Sequence, residues 1–297
     1  MNTIHHTHCP VCSSSSISRQ LSAKDYTVSQ QQFEIWQCAS CSLQFTQDGP
    51  DAAAAGNFYQ SDNYISHTDT NKGFINKLYH FVRKRTLKKK LQLIESATGV
   101  KKGSLLDIGA GTGAFVHTAV DAGWTVAGLE PDEATRQRAA SLYNVELKDT
   151  ATLFRLQTVQ FDAVTMWHVL EHVHELHAYI EQIKLLLKEN GRALIAVPNY
   201  TSYDARVYEQ YWAAYDVPRH LYHFSPAAIN VLLKQHGLRL LTIKPMWFDS
   251  FYIAMLSEQY KNGKSNLLKA VWNGLVSNYK AMLNKERCSS VIYIIGK

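Results

Sequence analysis

The chain has 297 residues, of which 46% are hydrophobic, so it is long enough to bury one large core or two modest cores. Its formal net charge is +6, and none of its apolar runs approaches the roughly 18 residues that a membrane-spanning helix needs. The polar, histidine-containing residues 1–6 lack the apolar centre of a secretory signal peptide. We therefore expect a cytoplasmic protein without a membrane partner.

Two C-x-x-C pairs lie near the start of the chain and comprise Cys9, Cys12, Cys38 and Cys41. Each pair can present two thiolates to one ion, and four sulfurs arranged as a tetrahedron suit zinc. Disulfides are the alternative, but they are rare where thiols stay reduced, and so small a module needs a stabilising centre. The pattern predicts a zinc ribbon over residues 1–48 with one structural zinc ion, and Cys288 as a packing residue.

The next segment, residues 49–103, shows no strand-like alternation and is predicted to be a helical linker or cap. Basic residues are concentrated in 83–90 and alternate with apolar residues at helical spacing, which predicts one amphipathic helix. Its polar face either is simply solvated or binds nucleic acid or an acidic membrane surface. We prefer the solvated face, and of the two partners we keep nucleic acid as the alternative.

An apolar strand then runs into three alternating glycines, Gly109, Gly111 and Gly113, which are followed by a helical pattern. Glycine lets the backbone turn tightly and approach a ligand, and the amides at a helix start can donate hydrogen bonds. Asp107 lies inside the strand, and Glu130 ends the next apolar run, where an acid can bind the hydroxyls of a ribose. A tight turn without a ligand is the alternative.

The glycine spacing distinguishes between two nucleoside cofactors that fit this geometry, a dinucleotide and S-adenosylmethionine. A dinucleotide fingerprint is G-x-G-x-x-G, whereas this chain has D-x-G-x-G-x-G. That pattern resembles the first motif of class I S-adenosylmethionine-dependent methyltransferases. The resemblance implies that Gly109 and Gly111 lie against the methionine part of the cofactor and that Glu130 binds its ribose. It also implies that the neighbouring residues Asp107, Ala110, Thr112, Gly113 and Pro131 belong to the cofactor site.

Aromatic and hydrogen-bonding residues are unusually dense in residues 57–67. In zinc-ribbon methyltransferases, which this arrangement resembles, such a segment can fold over the cofactor. The resemblance implies that Tyr64 and His67 contact S-adenosylmethionine. A linker packed on the domain surface is an equal alternative.

Strand and helix patterns alternate from residue 104 onward, which predicts a parallel sheet covered by helices. The resemblance extends this to an α/β, Rossmann-like, seven-stranded methyltransferase sheet with helices on both faces over residues 104–297. It places Asp149, after a short third strand, near the adenine. Residues 247–287 contain two helical patterns and are predicted to be an insertion that forms a lid or an oligomer contact.

The fourth predicted strand, residues 161–168, runs into Leu-Glu-His at 170–172. This segment resembles the fourth-strand region of small-molecule methyltransferases. Because open α/β sheets bind ligands at the carboxyl ends of their strands, Trp167 and His168 are candidate cofactor contacts. His172 is either a buried core histidine or a residue of the site.

A second stretch, residues 216–226, contains R-H-L-Y-H-F-S-P and resembles a run that related methyltransferases carry after their fifth strand. An imidazole can accept a proton near neutral pH when an acceptor hydroxyl lies within hydrogen-bond reach. His220 and His223 are therefore our candidate proton acceptors, with His168 as the third. Packing histidines are the alternative.

The sequence thus predicts an S-adenosylmethionine-dependent methyltransferase that acts on a small-molecule acceptor, most simply at oxygen. Two other functions compete. An RNA or protein methyltransferase could use the ribbon and the basic helix for docking, although the chain lacks the N-P-P-Y-type tetrapeptide of many base-directed enzymes. A catalytically silent scaffold is disfavoured because the glycines and Glu130 are intact. The sequence makes no prediction of the oligomeric state.

Overall fold

The computed structural model describes residues 2–59, 74–157 and 159–297, with the backbone alone for residues 74–84. Tyr64 and His67, two of the predicted cofactor contacts, lie outside the described residues. Within these ranges, every helix is too short or too polar to cross a membrane.

The strands follow one another along the chain as β1 (Thr3–Ile4), β2 (Ile17–Lys24), β3 (Gln32–Cys38), β4 (Gln44–Thr46), β5 (Gly49–Pro50), β6 (Ser104–Ile108), β7 (Thr125–Leu129), β8 (Leu147–Lys148), β9 (Phe161–Trp167), β10 (Leu187–Pro198), β11 (Tyr222–His223), β12 (Arg239–Pro245) and β13 (Ser290–Gly296). The α-helices are α1 (Phe74–Thr98), α2 (Ala114–Asp121), α3 (Glu133–Tyr143), α4 (Leu176–Leu186), α5 (Tyr203–Tyr208), α6 (Pro226–Gln235), α7 (Asp249–Asn262) and α8 (Leu267–Leu283). Short 3-10 turns include Thr150–Arg155 and Leu170–His172.

Seven of the described strands form one sheet in the order β12-β13-β10-β9-β6-β7-β8. In its centre, β6 pairs in parallel with both β7 and β9, so that Asp107 lies opposite Gly128 on one side and Thr165 on the other. Parallel neighbours cannot be joined by a tight hairpin, and a helix follows β6 and β7 in the chain. The predicted α/β fold with a seven-stranded sheet is confirmed.

Backbone contacts divide the chain into two compact units. Of the described residues, the first unit comprises 2–59, 168–180 and 196–293, and the second comprises 74–157, 159–167, 181–195 and 294–297.

The first unit contains an antiparallel sheet in the order β11-β4-β3-β2, to which the cysteine-bearing strand β3 belongs. Its core is aromatic: Ile35 of β3 shares one buried cluster with Tyr208, Trp212 and Tyr215. The indole N–H of Trp212 donates a 2.8 Å hydrogen bond to the carboxylate of Asp204, which satisfies the one polar atom of this large buried side chain.

In the second unit, helices α2 and α3 pack an apolar layer against strand β7 of the sheet. Val116, Ala139, Val145 and Leu147 form one buried cluster against β7. Gly128 of β7 lies beneath this layer, where an added Cβ would come within 2.4 Å of the Leu147 side chain. A side chain at this position would therefore force the layer off the strand.

Candidate active site and metal centre

The glycine turn between β6 and α2 has left-handed backbone at each glycine, with φ of +74° at Gly109, +54° at Gly111 and +77° at Gly113. L-residues rarely adopt such angles, so the conformation itself requires glycine. An added Cβ at Gly113 would lie 2.6 Å from Val145, whereas one at Gly111 would meet no atom within 4 Å among the described residues. Gly113 is thus required by packing as well as by its backbone angles, whereas Gly111 borders open space.

The backbone amides of this turn are used by the protein itself. The N–H groups of Gly109 and Ala110 both donate 2.8 Å hydrogen bonds to the carbonyl of Leu129, at the end of β7. They hold the turn against the neighbouring strand, which positions Glu130 beside it.

Glu130 is 9% exposed, and its carboxylate accepts hydrogen bonds from the amides of Gly111 (2.9 Å) and Asp132 (3.1 Å), one at each oxygen. Burial raises the pKa of Glu130, while these two hydrogen bonds oppose the increase. A carboxylate has about four acceptor positions, so two remain for further donors. These two acceptor positions suit the two hydroxyls of a ribose, which would donate to them.

Asp107 is buried in the sheet at 1% exposure and accepts a 2.6 Å hydrogen bond from the hydroxyl of Thr165 on β9. Burial raises the pKa of Asp107 to about 6, and the Thr165 hydrogen bond and the charge of Lys90 counteract only part of that effect. Through the Thr165 hydrogen bond, its carboxylate connects the carboxyl end of β6 to that of β9.

Two further candidate cofactor contacts, Asp149 and Trp167, lie in this second unit. The carboxylate of Asp149 caps the 3-10 turn Thr150–Arg155 and lies 3.3 Å from the Arg136 guanidinium. The same Arg136 nitrogen donates a 2.7 Å hydrogen bond to the Glu130 carbonyl, which connects the two acidic positions. The Trp167 ring packs edge-on against Phe115, with 5.9 Å between centroids.

His168, the residue after β9, belongs to the first unit and has a left-handed φ of +59°. Its Nε2 lies 3.0 Å from a carboxylate oxygen of Asp249, and its Nδ1 lies 3.4 Å from one of Glu171. Burial alone lowers the pKa of His168, but these two carboxylates outweigh burial and raise it to about 10. The side chain is therefore a cation at neutral pH, which suits a charge partner better than a proton acceptor.

Glu171 is fully buried in the 3-10 turn Leu170–His172, and neither of its carboxylate oxygens accepts a hydrogen bond within the described part of the chain. Burial raises the pKa of Glu171, but the neighbouring histidines, His168 foremost, lower it below its usual value. The Nε2 atom of His220 lies 4.0 Å from one oxygen. A buried, ionised carboxylate thus faces the imidazole of His220.

The Nδ1 atom of His220 lies 2.9 Å from the backbone carbonyl of Ala214. A carbonyl can only accept, so Nδ1 carries the proton and Nε2 carries a lone pair when the ring is neutral. That lone pair lies on the side of the ring that has two carboxylates within reach, Glu171 at 4.0 Å and Asp216 at 3.9 Å. The arrangement is suited to accept a proton and to stabilise the resulting cation.

The ring of His172 lies edge-on to that of His220, with 4.5 Å between centroids. Burial, and then the charge of His220, lower the pKa of His172 to about 4, so His172 is neutral at neutral pH. Its Nδ1 lies 3.0 Å from both the Arg219 carbonyl and the Tyr59 hydroxyl. Glu171, His172 and His220 could also bind one cation, since one potential ligand atom from each lies within 4.8 Å of the others.

Arg219 anchors the loop that carries His220. Its guanidinium is buried and makes two hydrogen bonds to Asp216, at 2.6 and 3.0 Å, with a third to Asp25 in the β2–β3 hairpin at 3.2 Å. A fourth hydrogen bond, of 2.9 Å, goes to the carbonyl of Phe58. A fork between guanidinium and carboxylate is geometrically specific, so this arginine determines where the loop lies.

His223, the other predicted proton acceptor in this stretch, has different surroundings. It lies on β11, is 3% exposed, and its Nε2 lies 3.1 Å from the Thr46 hydroxyl of β4. Burial lowers the pKa of His223 well below its usual value, and its ring packs edge-on against Tyr215. These contacts are those of a packing histidine.

The four cysteines of the predicted zinc site lie together, with one sulfur of each within 4.8 Å of the others. Across the pairs, Sγ of Cys9 is 3.5 Å from that of Cys41, and Sγ of Cys12 is 3.5 Å from that of Cys38. All four are free thiols, and four sulfurs at zinc distance would be separated by about 3.8 Å. The donor set and its size fit a structural zinc ion.

The sequence motifs did not single out four polar residues that lie around His168, His172 and His220, namely Tyr59, Glu171, Asp216 and Asp249. Glu171 lies inside the Leu-Glu-His segment, so its charge next to histidine was an available signal. Asp249 begins a helix far along the chain and carried no comparable signal.

Comparison with known proteins gives a consistent family. A family model described as a methyltransferase domain matches residues 78–243, which is more than half of the chain. The ubiquinone biosynthesis O-methyltransferase of Rhodopseudomonas palustris (strain BisB5) is 29% identical over 126 residues, which cover 40% of this chain and 49% of that protein. The chain thus spans about half the length of this curated relative.

Solved structures match the chain at low sequence identity. Magnesium protoporphyrin IX methyltransferase from Synechocystis PCC 6803 has a TM-score of 0.52 at 14% identity, and the match covers 83% of this chain and 100% of that one. A SAM-dependent methyltransferase from Archaeoglobus fulgidus has a TM-score of 0.49 at 19% identity, over 72% and 94% of the two chains. At such identities the likeness concerns the fold alone.

Proposed function

This chain belongs to the methyltransferase-domain family as a class I S-adenosylmethionine-dependent enzyme, and on that premise we propose that it methylates a hydroxyl oxygen of a small molecule. The observation that carries the choice of oxygen is His220, a buried imidazole whose Nε2 bears the lone pair when the ring is neutral and has oxygens of two carboxylates within 4.0 Å. A hydroxyl must lose its proton as it is methylated, and this atom can receive that proton.

The cofactor is proposed to bind at the carboxyl ends of β6 and β7. When bound, it supplies a methyl group on a positively charged sulfur, which is the electrophile of the reaction. The two remaining acceptor positions of Glu130 would receive the ribose hydroxyls, and the open side of Gly111 leaves room for the methionine part. Asp149 and Trp167 are the further proposed contacts in this unit.

The proton acceptor is proposed to be Nε2 of His220. Glu171 and Asp216 would stabilise the imidazolium that forms, and the Ala214 carbonyl keeps the proton-bearing Nδ1 turned away from the acceptor. His168, a cation between Asp249 and Glu171, would position the cluster without taking the proton itself.

The curated relative also favours oxygen, since that protein is an O-methyltransferase. The matched segment covers only 40% of the present chain, so the comparison supports the type of reaction and leaves the acceptor to experiment.

The proposed domain scheme keeps a zinc ribbon at residues 1–48, a helical segment at 49–103 and the catalytic core at 104–297. We propose that the ribbon also holds the loop of His220 in position. Its strand β4 pairs with β11, and the Thr46 hydroxyl donates a 2.7 Å hydrogen bond to the His220 carbonyl. The ribbon sheet therefore supports the loop that carries the proton acceptor.

Replacing Glu130 by alanine should weaken S-adenosylmethionine binding by about 1.5 to 3 kcal/mol, or about 10- to 100-fold, because a buried charge-assisted acceptor of the ribose is lost. Titration calorimetry measures the change. Glu133→Ala removes an exposed carboxylate in the first turn of α3 and should bind normally. Unchanged affinity in Glu130→Ala, or tighter binding of a nicotinamide dinucleotide, would contradict the proposed site.

The acceptor class is tested by measuring S-adenosylhomocysteine formation with panels of phenols, alcohols, amines, RNA and peptides. We expect turnover with a hydroxyl-bearing small molecule and an O-methyl product by mass spectrometry. Turnover confined to amines would overturn methylation at oxygen, and turnover confined to RNA or peptides would overturn the small-molecule assignment.

A further inference from the structure

Helix α8 has its large apolar residues on the exposed side and its small or polar residues on the buried side. Its buried residues are small or polar, namely Ala270, Asn273, Gly274, Ser277 and Ala281. Its exposed residues are large and apolar, namely Leu267, Leu268, Val271, Trp272, Leu275, Tyr279, Met282 and Leu283. A surface helix of a water-soluble domain normally shows the opposite distribution, with its apolar stripe towards the core.

The exposure is nearly complete at several positions. Leu268 is 87% exposed, Met282 is 71% exposed, and Trp272 is 65% exposed. Successive residues of an α-helix are rotated by about 100°, which places these side chains on the side opposite Asn273 and Ser277. An exposed leucine is ordinary by itself, but a contiguous apolar face of this kind marks an interaction site.

Specific contacts prevent α8 from rotating this face inward. The Asn273 amide donates a 2.8 Å hydrogen bond to the Tyr208 hydroxyl, and the Ser277 hydroxyl donates one of 2.8 Å to Asp204. Gly274 packs against the ring of Phe251 on α7 so closely that an added Cβ would lie 2.5 Å from it. The outward orientation of the apolar residues is therefore built into the packing.

Large aromatic residues are also exposed on and just before helix α7, which packs on α8. Tyr252 of α7 is 54% exposed, and Phe248 and Trp247, which precede the helix, are 55% and 39% exposed. We name these three residues and the exposed apolar residues of α8 together the hairpin face. Aromatic rings are favoured at the boundary between water and lipid, because one ring combines an apolar body with a polar edge.

Positive charge surrounds the hairpin face. Residues 259–287 contain six basic residues and one acidic residue, Glu286. Lys261 and Lys264 lie in and just after the end of α7, while Lys280 and Lys285 lie at the far end of α8. Long lysine side chains there can keep their ammonium groups in a phosphate-rich layer while the apolar residues enter the layer beneath.

We propose that the hairpin face binds the surface of an anionic phospholipid bilayer, with the two helices lying in the interface plane. A helix pair with lysines at both ends and with Trp, Leu and Met on its exposed side has the composition of an interfacial membrane anchor. A second copy of the chain fits less well, since a symmetric dimer would bring like-charged lysines of the two copies together.

The proposal differs from the expectation of no membrane partner, which came from the lack of a long apolar run. A helix that lies on a membrane needs no such run, because only one of its faces enters the lipid. The exposed face becomes visible only once the tertiary contacts show which side of α8 is buried.

The test is sedimentation of the full chain with vesicles of phosphatidylcholine, alone or with about 30 mol% phosphatidylglycerol. We expect the chain to bind the anionic vesicles about 10-fold more tightly than the neutral vesicles, and added salt to weaken this binding. The double variant Leu268→Asp, Trp272→Asp should lower the partition coefficient by about 100-fold or more, since each apolar side chain contributes at least about a factor of ten.

A matched control is Leu142→Asp, which changes a 46% exposed leucine on α3 and should bind vesicles like the parent. Because Leu268 and Trp272 make so little contact with the protein, the double variant should keep the parent melting temperature. Equal binding of parent and double variant, or no binding of the parent to either vesicle, would overturn the proposal. Sedimentation velocity showing a dimer that the double variant dissociates would also overturn it, by assigning the face to self-association.

Discussion

Replacing His220 by glutamine should lower turnover with a hydroxyl acceptor by about 100-fold to 10,000-fold, the usual contribution of a general base. The imidazole is the group that the structure places between two carboxylates with its Nε2 lone pair available, and an amide nitrogen cannot replace that lone pair. The affinity for S-adenosylmethionine should stay within about twofold, since none of the proposed cofactor contacts is altered. Single-turnover rates and titration calorimetry give the two quantities.

His223→Gln is the matched control, because it changes a histidine three positions away that packs on Thr46 and Tyr215. It should lower the melting temperature and leave turnover per folded molecule near that of the parent. The opposite pattern, with turnover lost in His223→Gln and kept in His220→Gln, would refute the assignment. Metal analysis adds a further check, since a second metal equivalent that disappears in His220→Gln would make His220 a ligand instead of a base.

Removing the zinc ion should unfold the ribbon, and this is the largest stability effect that we expect. Structural zinc in small cysteine sites contributes about 10 to 16 kcal/mol of binding free energy, far more than the ribbon's own core can replace. Cys38→Ser should yield protein without bound zinc and with a much lower melting temperature. Elemental analysis and thermal unfolding measure both results.

Turnover should fall together with the metal. The ribbon strand β4 pairs with β11, and Thr46 holds the backbone of His220, so loss of the ribbon releases the loop of the proton acceptor. Cys288→Ser is the control: this cysteine is buried outside the cluster, and its loss should leave one zinc per chain. Parent protein that contains no metal and has oxidised cysteine pairs would favour disulfides over zinc.

Some features of this protein are determined by short stretches of sequence. The turn at Gly109 to Gly113 and its partner Glu130 follow two successive strands, so strand order alone brings them to one edge of the sheet. The two C-x-x-C pairs act similarly, because each pair folds its sulfurs together within four residues. Local geometry suffices in such cases, and the fold class could be predicted from them.

Local signals were less reliable at element boundaries. The helical spacing of apolar residues from Leu176 to Leu187 predicts a helix over residues 175–188, yet α4 ends at Leu186 and β10 begins at Leu187. Lys188 pairs with Asp162 of the neighbouring strand at 2.8 Å, a contact that helical backbone periodicity does not encode. The extended conformation here results from sheet pairing.

Only the tertiary structure showed that two histidines of the same motif have different surroundings. His220 and His223 share one motif, but the first faces Glu171 and Asp216 while the second is enclosed by Thr46 and Tyr215. The charge of a histidine depends on burial and on carboxylates brought from distant parts of the chain. The inverted face of α8 was hidden for the same reason: sequence shows that a helix has two faces, but packing decides which of them meets water.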